Sequence, residues 1–283
     1  MPLLLLGLVA CLAGCPQYGI MDDGTSVSYG WGNRGRLVNP TRLPRAGEGY
    51  WIPPRWAARG LNFGTDEIVR LIAYAGRQVS REYPGSRIGV ADISPERGGP
   101  SRWHSTHQSG LDVDLLFFEL DSSGRPASSD AMLHYRGDGV ARSATGRNFD
   151  VERNWFLVKS LIQNPIARLQ FIFIYDPLKQ MLLDYAMAIG EPPDIVEEAS
   201  YLLHQPSDSA SHDDHFHVRL YCSKADRDLG CRDRGLLRWT KKDRKYRDHP
   251  RRETAPVAAR VLLSRPLPAL LSLTALPFRT PPK

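Results

Sequence analysis

Three of the chain's eight histidines fall within the stretch SHDDHFHVRL, residues 211–220, as His212, His215 and His217. Near neutral pH imidazole does two kinds of chemistry: it ligates transition metals and it moves protons. The ending HFHVRLY alternates polar and apolar residues with the period of a strand. On that reading His215 and His217 share a face with Arg219 and Tyr221, while Phe216, Val218 and Leu220 turn to the core. LDVDLLFFEL, residues 111–120, repeats the pattern, with Asp112 and Asp114 opposite Leu111, Val113 and Leu115. A carboxylate flanked by Leu and Val is costly to bury unless it is paired or coordinated. Just upstream, RWHSTHQSG adds His104 and His107 from a loop. One loop histidine, one strand aspartate and one strand histidine make a three-ligand set of mixed N and O donors. A fourth position stays open for water, the layout of a catalytic mononuclear Zn2+ site. The cluster contains no cysteine, which argues against a closed structural site.

The elements that must position these groups follow from periodicity. Thr65 is placed to cap a helix in which Ile68, Leu71, Ile72, Ala75 and Val79 recur at helical spacing until Pro84. RIGVADI at 87–93 reads as a strand and 111–120 as a stronger one. Val151, Trp155, Val158 and Ile162 line one face of a helix near 150–163. FIFIY at 171–175 is a buried strand by its β-branched and aromatic content. Asp176-Pro177 opens a helix that Gly190 ends, 193–203 is another, and 215–221 is a strand. Residues 16–60 are rich in Gly, Pro and Arg without clear period, a linker followed by loops. The order is not a regular alternation of strands and helices, so the expected fold is α+β, a central antiparallel sheet flanked by helices and carrying the metal site.

Composition limits the partners. The net charge is +6, but residues 232–252 alone hold ten Lys/Arg against three Asp, a net of +7, leaving about −1 for the remainder. The basic balance belongs to a C-terminal tail, 236–283, and not to a nucleic-acid-binding face, so no nucleic acid is expected as partner. MPLLLLGLVACLAGC, residues 1–15, is an apolar run too short to span a bilayer and reads as an export signal. Its Leu12-Ala13-Gly14-Cys15 ending resembles the bacterial lipobox, in which the signal is cut before a cysteine that is then acylated, giving lipidation at Cys15 and a membrane-anchored lipoprotein of the periplasm. Cys11 would leave with the signal, so only Cys222 and Cys231 remain, a disulfide pair in an oxidising compartment, with two free thiols as the alternative.

His107 through Asp114, combined with the later His-x-His at 215–217, resembles the metallopeptidase group that includes lysostaphin, D-Ala-D-Ala peptidases and hedgehog domains. More narrowly, HSTHQSGLDVD together with HDDHFHVRLYC is similar to the penicillin-insensitive murein endopeptidases, over roughly residues 45–235. The paired motifs are far more specific than a lone His-x-His. The resemblance implies that His107, Asp114 and His217 hold zinc, with His104 close by as a further ligand or support. It makes His215 a catalytic residue beside the metal and His212 another active-site histidine, and it matches Cys222 to a family cysteine whose partner here is Cys231. It implies a domain over 45–235 after a linker at 16–44, with cross-linked muropeptides of peptidoglycan as partner and hydrolysis of D-alanyl cross-links as the reaction. The alternatives are a D-Ala-D-Ala carboxypeptidase and a noncatalytic lipoprotein that binds cell-wall peptides. No glutamate sits in either motif, so a general base of the H-E-x-x-H kind is not supplied. His134, His204 and His249 fall outside both motifs and read as ordinary surface or loop histidines. Trp103 and Tyr175 are candidates for a substrate groove, against simple packing.

Overall fold

A computed structural model describes residues 24–235 apart from 129, 144 and 208. The apolar leader with Cys15, the tail 236–283 and His249 therefore lie outside the described residues. No helix among the described residues is long and apolar enough to cross a membrane.

From residue 24 on, the segment that composition reads as linker and loops contains several short strands. β1 (Val27–Trp31) and β2 (Arg34–Val38) form an antiparallel hairpin. Its period is hidden in composition because Gly and Arg fill most positions, yet β2 alternates: Leu37 is buried while Arg36 and Val38 face out. β3 (Thr41–Arg42), β4 (Ala46–Gly47) and β5 (Tyr50–Trp51) have two residues each, too few to show a period. α1 (Pro54–Ala57) opens on a proline, which suits the first helical position, and buries Trp56. β6 (Phe63–Gly64) pairs with β3.

α2 (Asp66–Glu82) follows Thr65, with Asp66 and Glu67 in the first turn, where a helix dipole favours acids. Ile68, Leu71, Ile72, Ala75 and Val79 are all buried, as their spacing predicts. Thr65 stands at the cap position without donating or accepting a cap bond through its side chain. β7 (Ile88–Gly89) pairs in parallel with β5, and Val90 bridges from it to Leu115 in β8 (Asp112–Leu116). Ala91 N donates to Asp114 O at 2.9 Å and Asp114 N to Asp92 O at 3.0 Å, so pairing with β8 continues three residues past β7. β9 (Glu119–Leu120), β10 (Pro126–Ala127) and β11 (Asn148–Phe149) make a small three-stranded sheet with β9 in the middle. The Asp150 side chain accepts from Arg153 N at 3.1 Å and caps α3 (Val151–Ile162), which buries Trp155 and Val158.

β12 (Leu169–Phe173), α4 (Asp176–Ala188), α5 (Pro193–Leu202), β13 (Leu203–His204), β14 (His215–Leu220) and α6 (Lys224–Leu229) complete the chain. The central sheet has the order β13-β12-β14-β8, with β14 antiparallel to both neighbours. It departs from the all-antiparallel sheet expected from sequence, because β13 runs parallel to β12. The reason lies in the connection: α4 and α5 together form a crossover long enough to bring the chain back in the same direction. Val113, Leu115, Phe216, Val218 and Leu220 join the apolar core with residues of α2, α3 and α4. The opposite parity of β8 and β14 carries the polar groups.

Candidate metal centre

The register of β14 on β8 sets His217 opposite Asp114 and Arg219 opposite Asp112. His107 arrives from the loop before β8. Asp114 Oδ1 lies 2.9 Å from His217 Nδ1 and 3.2 Å from His107 Nε2, and those two nitrogens are 3.1 Å apart. Donors at 2.0–2.1 Å around a tetrahedral ion stand about 3.3 Å from one another, so the triangle has the size of one face of such a site.

The protons on these rings decide what the triangle can hold. His107 Nδ1 is 2.7 Å from Ile93 O, a carbonyl that can only accept, so this ring is protonated at Nδ1 and turns the Nε2 lone pair to the triangle. His217 Nε2 lies 3.3 Å from Asp112 Oδ1, and a proton there leaves the Nδ1 lone pair facing the same point. Asp112 is itself held by Arg219 Nη1 at 2.5 Å, and Arg219 Nε donates to Gln170 Oε1 at 3.1 Å. Such partners behind a ligating imidazole fix its tautomer and orientation. Asp114 is 1% exposed and its Oδ2 is enclosed without a hydrogen-bond donor. The two nitrogens and the carboxylate oxygen stand within 3.2 Å of one another, so a single cation placed among them meets all three at once. The donor set fits a transition metal such as zinc.

Two further histidines border the triangle. His215 Nε2 is 3.4 Å from Asp114 Oδ1, while its Nδ1 is 2.6 Å from Asp214 Oδ1. Burial disfavours charge on this ring, but Asp114 and Asp214 outweigh it and raise its pKa to about 10. Burial also works against charge on His217, where Asp112 and Asp114 again prevail and raise the pKa. In both cases the carboxylates create a demand for positive charge at this point. His212 differs. Its Nδ1 donates to Ala210 O at 2.7 Å, and burial together with the nearby His215 and His217 lowers its pKa to about 4, so it stays neutral with Nε2 as an acceptor. Its ring centroid is 5.1 Å from that of His215 and 5.6 Å from that of His217. His104 Nε2 is 2.8 Å from Asp92 Oδ2 and its Nδ1 is 3.7 Å from Asp114 Oδ2, which puts it at the edge of the triangle. Arg59 Nη1 shares that Asp92 oxygen at 2.6 Å.

Every histidine singled out in the two motifs is thus drawn to one place, and Cys222 and Cys231 are disulfide-bonded just past β14. The supporting acids Asp92 and Asp214, and the roles of Arg59 and Gln170, were not legible in sequence, although Asp214 stood next to His215 in plain sight. His107 and His212 also have left-handed backbones, φ 63° and 55°, a conformation that costs a non-glycine residue about 1–3 kcal/mol and persists where its surroundings fix it. Of the histidines read as ordinary, His204 packs edge-on against Phe171 and Phe173. His134 is held by Asp213 at 2.7 Å and continues the cluster outward. Trp103 is 45% exposed beside His104, with the Arg59 guanidinium 4.0 Å from its ring.

Comparison with known sequences bears on the same residues. The family described as penicillin-insensitive murein endopeptidase matches residues 28–238. The penicillin-insensitive murein endopeptidases of Escherichia coli O1:K1 / APEC, of strain SMS-3-5 / SECEC and of O127:H6 strain E2348/69 / EPEC are each 30% identical to this chain. Each match runs over 243 residues, 83% of this chain and 80% of the relative. The family match begins well ahead of residue 45 and takes in the β1–β2 hairpin, and at its turn a Cβ on Gly32 would come within 2.4 Å of Arg219 Nη1 behind the donor triangle. The matched span takes in the hairpin, the histidine loop and the paired strands, and the chain belongs to the penicillin-insensitive murein endopeptidase family.

Proposed function

We propose that this protein is a zinc-dependent endopeptidase that hydrolyses the D-alanyl peptide cross-links of peptidoglycan in the periplasm. The observation that carries the proposal is the triangle of His107 Nε2, Asp114 Oδ1 and His217 Nδ1, with edges of 2.9–3.2 Å. Zinc held by His107, Asp114 and His217 would supply Lewis acidity toward a peptide carbonyl. The surrounding residues do the rest. His215, oriented by Asp214 through Nδ1, presents Nε2 at the edge of the triangle, where it holds a proton against the negative charge that develops on the carbonyl oxygen and gives it to the departing amine. His212, kept neutral, accepts a hydrogen bond and helps to orient the reacting groups. Asp112 and Arg219 hold His217 still. His104, on Asp92, supports Asp114 from the loop side.

Elemental analysis of the purified protein and digestion of cross-linked muropeptide dimers test the reading. About one zinc per chain with conversion of dimer to monomer is expected. Release of terminal D-alanine in its place would make the enzyme a carboxypeptidase, and binding without turnover would make it a noncatalytic receptor for wall peptides. Localisation rests on the leader: Leu-Ala-Gly-Cys15 supports acylation, and Cys15→Ser is expected to shift the protein from membrane to soluble envelope fractions. An unchanged distribution refutes the lipid anchor.

A further inference from the structure

Past the end of β14 the chain encloses a cavity of about 550 Å³ that shares no residue with the histidine cluster. Small-ligand sites occupy about 300–1,000 Å³. Its walls come from the first turn of α2, the loop before β12, the residues after β14 and the start of α6. Each wall is set by bonds within the protein. Asn164 Oδ1 accepts from Ile166 N and Ala167 N, both at 2.9 Å, and fixes the loop. The Cys222–Cys231 disulfide and the Ser223 side chain, which caps Asp226 N at 3.0 Å, fix the start of α6. Arg227 Nη1 donates to Cys222 O at 2.9 Å.

The charged side chains of this lining are Glu67, Arg168, Lys224 and Arg227. Glu67 is the carboxylate of the lining; its Oε2 is enclosed without a hydrogen-bond donor. Lys224 and Arg227 are three residues apart on α6 and so lie on the same side of it. The Lys224 ammonium is exposed at the mouth of the lining, and Arg227, whose Nη1 lies 3.6 Å from Asp233 Oδ2, stands beside it. Leu111, Ile166 and Tyr221 supply apolar surface to the same lining. A charged group on a cavity wall without a protein partner has capacity for a ligand of opposite sign, and charge-assisted bonds are the strong ones.

We propose that this cavity is a second binding site, for an amino acid or short peptide that carries both a free ammonium, received by Glu67, and a free carboxylate, received by Lys224 and Arg227. It is separate from the histidine cluster: four residue steps of chain from His217 to Tyr221 span about 13 Å of extended strand. The inference goes beyond the proposed hydrolysis and does not depend on it.

Calorimetric titration of the zinc-loaded full chain with L-alanyl-L-alanine, its N-acetyl form and its C-terminal amide tests the site. The L-centres keep the probe from being the D-alanyl substrate proposed above. Wild type is expected to bind the free dipeptide saturably with one site per chain, and each blocked form at least ten-fold more weakly. Glu67→Gln should bind the free and N-acetyl forms alike, and Lys224→Gln should narrow the gap between the free and amide forms. Both variants should keep their zinc and their action on muropeptides. The exposed position of Lys224 keeps the test open even if the α2 substitution impairs folding. The proposal is overturned if wild type shows no saturable binding in the millimolar range, or if both variants discriminate among the three probes as wild type does. Loss of binding in His217→Ala with none in Glu67→Gln would place the dipeptide on the metal centre and also overturn it. Cleavage of muropeptide dimers by wild type, read in the same preparation, reports separately on the proposed hydrolysis.

Discussion

Asp214→Asn isolates one contact, the 2.6 Å approach of its Oδ1 to His215 Nδ1. The change keeps shape and removes the charge that orients the ring and favours its protonated form. Hydrogen bonds to charged groups contribute about 1.5–3 kcal/mol, which corresponds to about a 10- to 150-fold loss of turnover. His215→Ala removes the proton carrier itself and is expected to cost about 10²- to 10⁴-fold. Asp214 acts only through His215, so the double variant should be no slower than His215→Ala alone. Neither residue contributes an edge to the triangle of His107, Asp114 and His217, and zinc content should stay at the wild-type level in all three variants. The assay is steady-state cleavage of purified muropeptide dimers, with zinc per chain measured on the same samples. A further ten-fold loss when Asp214→Asn is added to His215→Ala, or loss of zinc from His215→Ala, would refute the division of labour between proton carrier and metal ligands.

His217→Ala, His107→Ala and Asp114→Ala should each lower zinc content together with activity, since each removes a corner of the triangle; a variant that keeps stoichiometric zinc rules its residue out as a ligand. Replacing Cys222 and Cys231 by Ser should lower stability by about 2–3 kcal/mol in urea unfolding, because the closed loop is short; an unchanged midpoint removes that role. Glu119 offers a pH test. Burial, only partly offset by Arg147 at 3.8 Å, raises its pKa to about 7. The folded state thus holds a proton that the unfolded chain releases near 4.5, and stability falls as pH rises between these values. The loss is about 3 kcal/mol, complete above about pH 7. Glu119→Gln should remove that share of the slope, and parallel stability profiles for the two proteins would contradict it.

Long, strongly periodic elements were legible in sequence. α2 shows five buried positions at helical spacing, and β14 and β8 announce their polar faces by strict alternation. From that alternation alone the partners His107, Asp114 and His217 could be gathered. The hairpin at 27–38 and the two-residue strands up to Trp51 were not legible, because no period fits into two residues and glycine hides the inward face of β2. The parallel pairing of β13 is a property of the α4–α5 crossover, which no local pattern announces. Asp92 meets His104 and Arg59 only through tertiary contact, across 12 and 33 residues of chain. Sequence pattern speaks for a residue's own face, and it is silent on which distant residue arrives there.

The place of β14 between β12 and β8 has a consequence in time. The corners of the donor triangle His107 and His217 are 110 residues apart, and synthesis at about 5–20 residues per second delivers the second some 5–20 s after the first. Until β14 emerges, β8 and β12 have no hydrogen-bonded connection to each other, because β14, the last strand among the described residues, is the one that joins them. The same insertion that closes the sheet brings His215 and His217 to Asp114. A chain that lacks β14 therefore carries two corners of the triangle, His107 and Asp114, and the third arrives only when the sheet is completed.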